Sequence, residues 1–74
     1  MDKNKKNFDS TDHTAGYRIF EIVHKIVDEN PDADYFFLND AVHDTIKEEF
    51  NYTHELRKEY QTAIRFVMDK KGSL

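Results

Sequence analysis

The sequence predicts an all-α fold: a compact three-helix bundle with a flexible N-terminal arm. Three segments carry apolar residues at intervals of three and four positions, the spacing that gives a helix one apolar face. No segment alternates apolar and polar residues over the length of a strand. The chain holds one proline and two glycines, so few positions interrupt a helix. These observations favour three helices over a β or mixed fold.

Residues 1–14 are predicted to form a disordered polar arm. They are rich in Lys, Asn, Asp, Ser and Thr, with a lone Phe8 among them. Such a composition offers too little apolar surface to offset the entropy lost on ordering. We therefore expect a single folded domain over residues 15–72.

The first helix is predicted to begin near Ala15. Thr14 or Asp12 is expected to cap its N-terminus, and Asn30 with Pro31 marks its end. Charged residues separate the members of its apolar stripe, which are Ile19, Ile22, Val23 and Ile26.

The second helix is predicted to end near Phe50. Its apolar residues follow at four-residue steps and are Leu38, Val42, Ile46 and Phe50. The sequence leaves its start open, because residues 31–37 could form a turn, a first helical turn or a short extended segment. The run from Tyr35 to Leu38 has the highest β-propensity in the chain.

The third helix is predicted to follow Thr53, a residue well suited to cap an N-terminus. Lys70 and Lys71 place cations in its last turn, and Gly72 marks its end. Its apolar set is Leu56, Tyr60, Ala63, Ile64 and Val67.

The length of the chain limits the functions it can have. A domain of 74 residues buries only about 60% of the surface that its unfolded chain exposes, so a deep catalytic cavity has no room beside the core. There is no cysteine, and the two glycines, Gly16 and Gly72, cannot form a glycine-rich phosphate loop. No nucleophile lies in a recognisable arrangement with a base and an acid. We expect no catalysis and no cofactor.

Two short motifs have the spacing of metal-binding helices. Glu21 and His24, like Asp40 and His43, place a carboxylate and an imidazole three residues apart. A working site would need further carboxylates from other helices, and we expect Asp40 and His43 to face solvent because they lie off the apolar stripe. Chance spacings are common in a chain that is 35% charged. We therefore expect no metal site.

Apolar runs are too short for a membrane span. The longest covers four residues, Tyr35 to Leu38, whereas a span needs about 20. No apolar segment follows the first lysines, as one would in a secretory signal. The expectation is a cytoplasmic protein without a membrane partner.

Acidic residues concentrate in the middle of the chain. Residues 28–49 carry a net charge of −7, although the whole chain carries only −4. Such a surface would repel nucleic acid and attract a basic partner. Keeping an aromatic-rich protein in solution is the plainer explanation of the same charges.

Aromatic residues exceed what one small core can hold. Ten of the 74 residues are Phe or Tyr. Three consecutive rings, at positions 35–37, cannot all point inward from a helix or a strand, although neighbouring elements could sandwich them. Exposed rings beside acids are typical of binding surfaces. The predicted protein-binding residues are Tyr35, Phe36, Phe37, Asp40, Asp44 and Glu48.

The sequence thus predicts a small acidic protein-binding regulator, inhibitor or accessory factor. A basic, nucleic-acid-binding protein is one partner whose charge would fit, and a homodimer is a further expectation because about 58 residues are few for an unaided monomer. The alternative is a DNA-binding helix-turn-helix transcriptional regulator, with helix 53–71 as its recognition helix and Arg57, Lys58 and Arg65 as its contacts. The low positive charge of that helix weighs against it.

Overall fold

A computed structural model describes residues 5–9 and 11–72 of the chain; residues 1–4 and 10 of the predicted arm lie outside this range. It contains three helices, α1 (His13–Glu29), α2 (Tyr35–Glu49) and α3 (His54–Gly72). Each helix packs against the other two, which confirms the predicted all-α three-helix bundle. Among the described residues, the only β-type pairing is an isolated parallel bridge between Lys6 and Phe50.

Side-chain caps fix the start of α1 and α3. Of the two predicted caps for α1, Asp12 is the one used, and its carboxylate accepts hydrogen bonds from two backbone N–H groups of the first turn. The helix therefore begins at His13, two residues earlier than predicted. The Thr53 hydroxyl accepts a hydrogen bond from the Leu56 N–H at 3.1 Å, so the predicted cap of α3 is confirmed.

Helix α2 begins at Tyr35, which settles the region that the sequence left open. The Asp34 carboxylate accepts a hydrogen bond of 2.9 Å from the backbone N–H of Phe37. Residues 35–38 therefore form a first helical turn, and the extended alternative is wrong. The N-cap overrides the local β-propensity because it satisfies a backbone donor that would otherwise lack a partner.

The three apolar stripes meet in one core, in which no charged side chain of the described residues is buried. Val23, Val42, Leu56 and Ile64 have no exposed surface. All predicted stripe residues of the three helices lie in this core. The bundle is thus held by apolar packing, and every charge interaction occurs at its surface.

Residues 5–9, which belong to the predicted arm, lie against the connection between α2 and α3. The Lys6 N–H donates to the Glu49 carbonyl at 2.8 Å, and the Asn51 N–H donates to the Lys6 carbonyl at 2.8 Å. The side chain of Asn51 donates to that of Asn7 at 2.8 Å. Phe8 is 8% exposed and joins the core. The composition of this segment does not reveal that the Phe8 ring is buried or that Lys6 forms two backbone hydrogen bonds.

A carboxylate at the end of α2 joins this helix to α1. Two guanidinium nitrogens of Arg18, Nε and Nη2, donate to separate oxygens of Glu49 at 2.9 Å each. A third nitrogen donates to Glu21 at 2.9 Å, and the Lys6 ammonium lies 3.8 Å from Glu49. The hydrogen bonds from Arg18 hold the pKa of the Glu49 carboxyl below its ordinary value of 4.5.

Phe8→Ala is expected to lower the free energy of unfolding by about 3 kcal/mol, because it removes a buried ring from a small core. Urea denaturation followed by far-UV circular dichroism measures the change. Phe36→Ala is the matched control, since that ring is 77% exposed. Equal effects of the two substitutions would show that Phe8 adds nothing to the core.

Glu49→Gln is expected to lower the free energy of unfolding at neutral pH by about 1 kcal/mol, the upper range for an ion pair in contact with water. Because folding lowers the pKa of Glu49, its charge stabilises the fold above pH 4.5, and this stabilisation is lost as the pH falls below that value. The difference between wild type and variant should therefore shrink in acid. Urea titrations at several pH values test this.

Glu48→Gln is the control for this experiment, because it removes the same charge from the exposed neighbouring position. The prediction fails if the effect of Glu49→Gln does not depend on pH or equals that of Glu48→Gln.

Candidate protein-binding surface

One side of α2 carries two aromatic rings and three carboxylates. Each residue of a helix advances by about 100°, which places these five side chains within an arc of about 120°. The middle of this arc lies opposite the buried residues of α2, Leu38, Val42 and Ile46. We call this surface the outer face of α2; its members are Phe36, Phe37, Asp40, Asp44 and Glu48.

The outer face of α2 is open to solvent. Phe36 is 77% exposed and Phe37 is 53% exposed, and all three carboxylates are exposed. The structure therefore brings five of the six residues predicted for protein binding onto one surface. Two neighbouring rings that stay in water although the protein has an apolar core form an apolar patch with an acidic border.

Tyr35, the sixth predicted residue, does not belong to this surface. It is half-buried and packs against the core, and its ring centroid lies 5.9 Å from that of Phe36. The guanidinium carbon of Arg65 lies 5.5 Å from the centre of the Tyr35 ring, which is a cation–π contact. Tyr35 faces inward because it lies about 100° from Phe36, on the side of α2 that carries Val42.

The charges of the outer face are only partly neutralised. The Lys47 ammonium lies 3.3 Å from the Asp44 carboxylate, one turn away on the same helix. Among the described residues, neither Asp40 nor Glu48 takes part in an ion pair. Three carboxylates and one ammonium leave the face with a negative potential around its two rings.

His43 does not face solvent, which corrects the prediction for this residue. It is half-buried, and its Nδ1 atom lies 2.9 Å from the hydroxyl of Tyr60 on α3. The ring of Tyr52 contacts it edge-on, with centroids 5.1 Å apart. Burial raises the pKa of Tyr60 above 10.0, so the phenol keeps its proton and can donate to the imidazole. Asp40, three residues before His43, is exposed as expected.

Glu21 and His24, the residues of the other metal-like motif, also contact neighbouring side chains. Glu21 accepts a hydrogen bond from Arg18, and the His24 ring packs edge-on against Phe20 with centroids 4.8 Å apart. Within residues 5–9 and 11–72, no three or more histidines and carboxylates converge in a way that could hold a metal ion.

The basic residues of the DNA-binding alternative are all exposed on α3. Lys58 and Arg65 are seven positions apart and share one side of the helix, whereas Arg57 lies about 100° from Lys58. Arg65 covers the ring of Tyr35. The three cations therefore do not form one continuous basic surface.

The structure reveals a second aromatic surface that the sequence does not predict. Phe20 of α1 and Phe66 of α3 contact each other with ring centroids 5.8 Å apart; Phe20 is half-buried, and Phe66 is 56% exposed. They border a shallow groove of about 370 Å³, the α1–α3 groove, which also includes Gly16, Glu59, Thr62 and Ala63. No local pattern links Phe20 to Phe66, because they are far apart in the chain.

Comparisons with known proteins find no match to this chain among protein-family models, curated proteins or solved structures. None of the helices in the described part of the chain has the length and apolar character needed to cross a bilayer.

Tyr35→Ala is expected to lower the free energy of unfolding by about 2 kcal/mol, because this ring packs against the core. Phe36→Ala should change it by no more than about 0.5 kcal/mol, since the ring is mostly exposed. Urea denaturation of both variants provides the comparison. Equal losses would mean that the two neighbouring rings have the same environment.

Proposed function

We propose that the protein is a small acidic regulator, inhibitor or accessory factor that binds another protein through the outer face of α2 and catalyses no reaction. The observation that carries this proposal is the exposure of Phe36 and Phe37, 77% and 53%, within an arc of three carboxylates. Aromatic rings in the centre of an interface supply much of its binding energy, and charges around them guide association.

The charge of the outer face favours a basic protein as the partner. The two rings would enter an apolar depression on that protein, and Asp40 and Glu48 would lie near lysine or arginine side chains at its rim. The three carboxylates of the outer face, with one ammonium beside them, disfavour nucleic acid on this side of the molecule, because phosphate groups would be repelled.

The rings are presented by a well-anchored helical turn. The Asp34 cap fixes the backbone at Phe37, and Leu38, the next residue, is only 1% exposed. A surface that is ordered before binding loses less conformational entropy when the partner arrives. This anchoring supports a role for the first turn of α2 in recognition.

The double substitution Phe36→Ala with Phe37→Ala is expected to weaken binding at least 30-fold, which corresponds to about 2 kcal/mol for a central aromatic contact. Partners are captured from a lysate of the native cells with the wild-type protein, with and without nuclease treatment. The purified partner is then titrated with each variant by calorimetry. Far-UV circular dichroism confirms that helicity is retained.

Tyr17→Ala is the matched control, because Tyr17 is also an exposed aromatic residue, 71%, but lies on α1. Asp40→Asn with Glu48→Gln should slow association and reduce its dependence on salt, since these charges act at a distance. Binding that survives the double aromatic substitution would refute the proposal. Capture that depends on nucleic acid, and duplex binding that is lost in Arg57→Ala with Lys58→Ala, would support the DNA-binding alternative.

A further inference from the structure

A shallow depression lies beside the Phe37 ring, at the edge of the outer face of α2. It has a volume of about 470 Å³, and its lining consists of Asn30, Pro31, Asp32, Ala33, Asp34 and Phe37. We call it the Phe37 depression. The ring is 53% exposed, and both carboxylates are exposed. An accessible ring next to carboxylates is a combination that a cationic side chain can contact.

The Phe37 depression differs in charge from two depressions along α1. Each of those is lined by two cations and two carboxylates, so their charges balance. The described lining of the Phe37 depression contains Asp32 and Asp34 and no cation. Neither carboxylate forms an ion pair with any described residue. The potential in this depression is therefore negative, which favours a cationic ligand.

The fold uses only part of the hydrogen-bonding capacity of these carboxylates. Oδ1 of Asp34 accepts the hydrogen bond from the Phe37 N–H that caps α2. Within the described part of the chain, the second oxygen of Asp34 and both oxygens of Asp32 accept no hydrogen bond. Three carboxylate oxygens are thus available to N–H donors from outside the chain.

The same turn of α2 already carries a contact between a guanidinium and a ring. Arg65, an exposed residue of α3, lies over the Tyr35 ring, with its Cζ atom 5.5 Å from the ring centre. A guanidinium is planar and weakly hydrated, so it stacks on rings and donates to carboxylates through several nitrogens. An ammonium is compact and strongly hydrated. The ring and carboxylates of the Phe37 depression therefore suit arginine better than lysine.

We propose that the Phe37 depression binds an arginine side chain of the basic partner. The guanidinium lies over the Phe37 ring and donates to Asp32 and to the second oxygen of Asp34, and its methylene groups contact Pro31. This inference rests on the proposed function, because Phe37 also belongs to the outer face of α2, which the partner covers. It names arginine as the residue that is recognised at this edge of the interface.

A short arginine peptide tests the depression without the partner. The full chain, labelled with ¹⁵N, is titrated with acetyl-Gly-Arg-Gly-amide to about 50 mM at constant ionic strength, and amide chemical shifts are recorded. We expect saturable changes at residues 32–37 with a dissociation constant of about 10 mM, as for one cation–π contact and one exposed ion pair. The lysine peptide should bind about fivefold more weakly. The peptide with citrulline, which lacks the charge, should show no saturable binding.

Variants of the depression locate the contact. Asp32→Asn and Phe37→Ala should each weaken binding of the arginine peptide about fivefold. Asp34→Asn should also weaken it while keeping the cap, because asparagine caps a helix as well as aspartate does. Asp28→Asn is the matched control, since it removes the same charge from an exposed position outside the depression. Far-UV circular dichroism verifies that each variant is folded.

Three results of the peptide experiment would overturn the assignment. The first is the absence of saturable changes at residues 32–37. The second is equal binding of the lysine and arginine peptides, which would indicate attraction of any cation. The third is an equal loss of binding in Asp28→Asn and Asp32→Asn, which would indicate long-range attraction by the acidic surface and no contact in the depression.

The captured partner separates this inference from the proposed function. Asp32→Asn is expected to weaken partner binding about fivefold, and Asp28→Asn is expected to leave it unchanged. If Phe36→Ala with Phe37→Ala abolishes partner binding and Asp32→Asn acts no more strongly than Asp28→Asn, the arginine contact is wrong and the proposed function stands. Partner binding that survives both the aromatic and the Asp32 substitutions would overturn the two proposals together.

Discussion

The structure depends on a single apolar core to which each of the three helices contributes one face. No charged side chain of the described residues is buried in this core, so apolar packing holds the helices together. It has room for only some of the aromatic residues: Phe8, Phe50 and Tyr60 are buried, and two more are partly covered. The other five, half or more exposed, are Tyr17, Phe36, Phe37, Tyr52 and Phe66. The limited volume of the core thus leaves half of the aromatic rings exposed to solvent.

The exposed rings Phe36, Phe37 and Phe66 differ in the charge that surrounds them. Phe36 and Phe37 lie among carboxylates, which suits a basic partner and opposes self-association. Phe66 borders the α1–α3 groove, whose lining contains a single charged residue, Glu59.

Much of the fold and part of the site follow from the order of residues alone. The three-helix architecture and the apolar stripes were predicted because helical periodicity is a local signal. The cap Thr53 was recognised for the same reason, since a cap bonds to residues two or three positions away, whereas for α1 the sequence left Thr14 and Asp12 as alternatives. The sequence predicted exposed rings at positions 35–37 but did not distinguish among the three residues. Their division into inward Tyr35 and outward Phe36 and Phe37 required the start of α2, which the Asp34 cap decides.

The sequence by itself determined which faces of the helices are apolar and where the negative charge concentrates. Only the tertiary structure decided the contacts between distant positions: Phe8 in the core, His43 with Tyr60, Arg18 with Glu49, and Phe20 with Phe66. Periodicity describes the environment of a residue within its own helix, whereas these contacts depend on how the helices are packed. The packing is set by the whole core at once, and for this reason the α1–α3 groove could be recognised only after the bundle had been assembled.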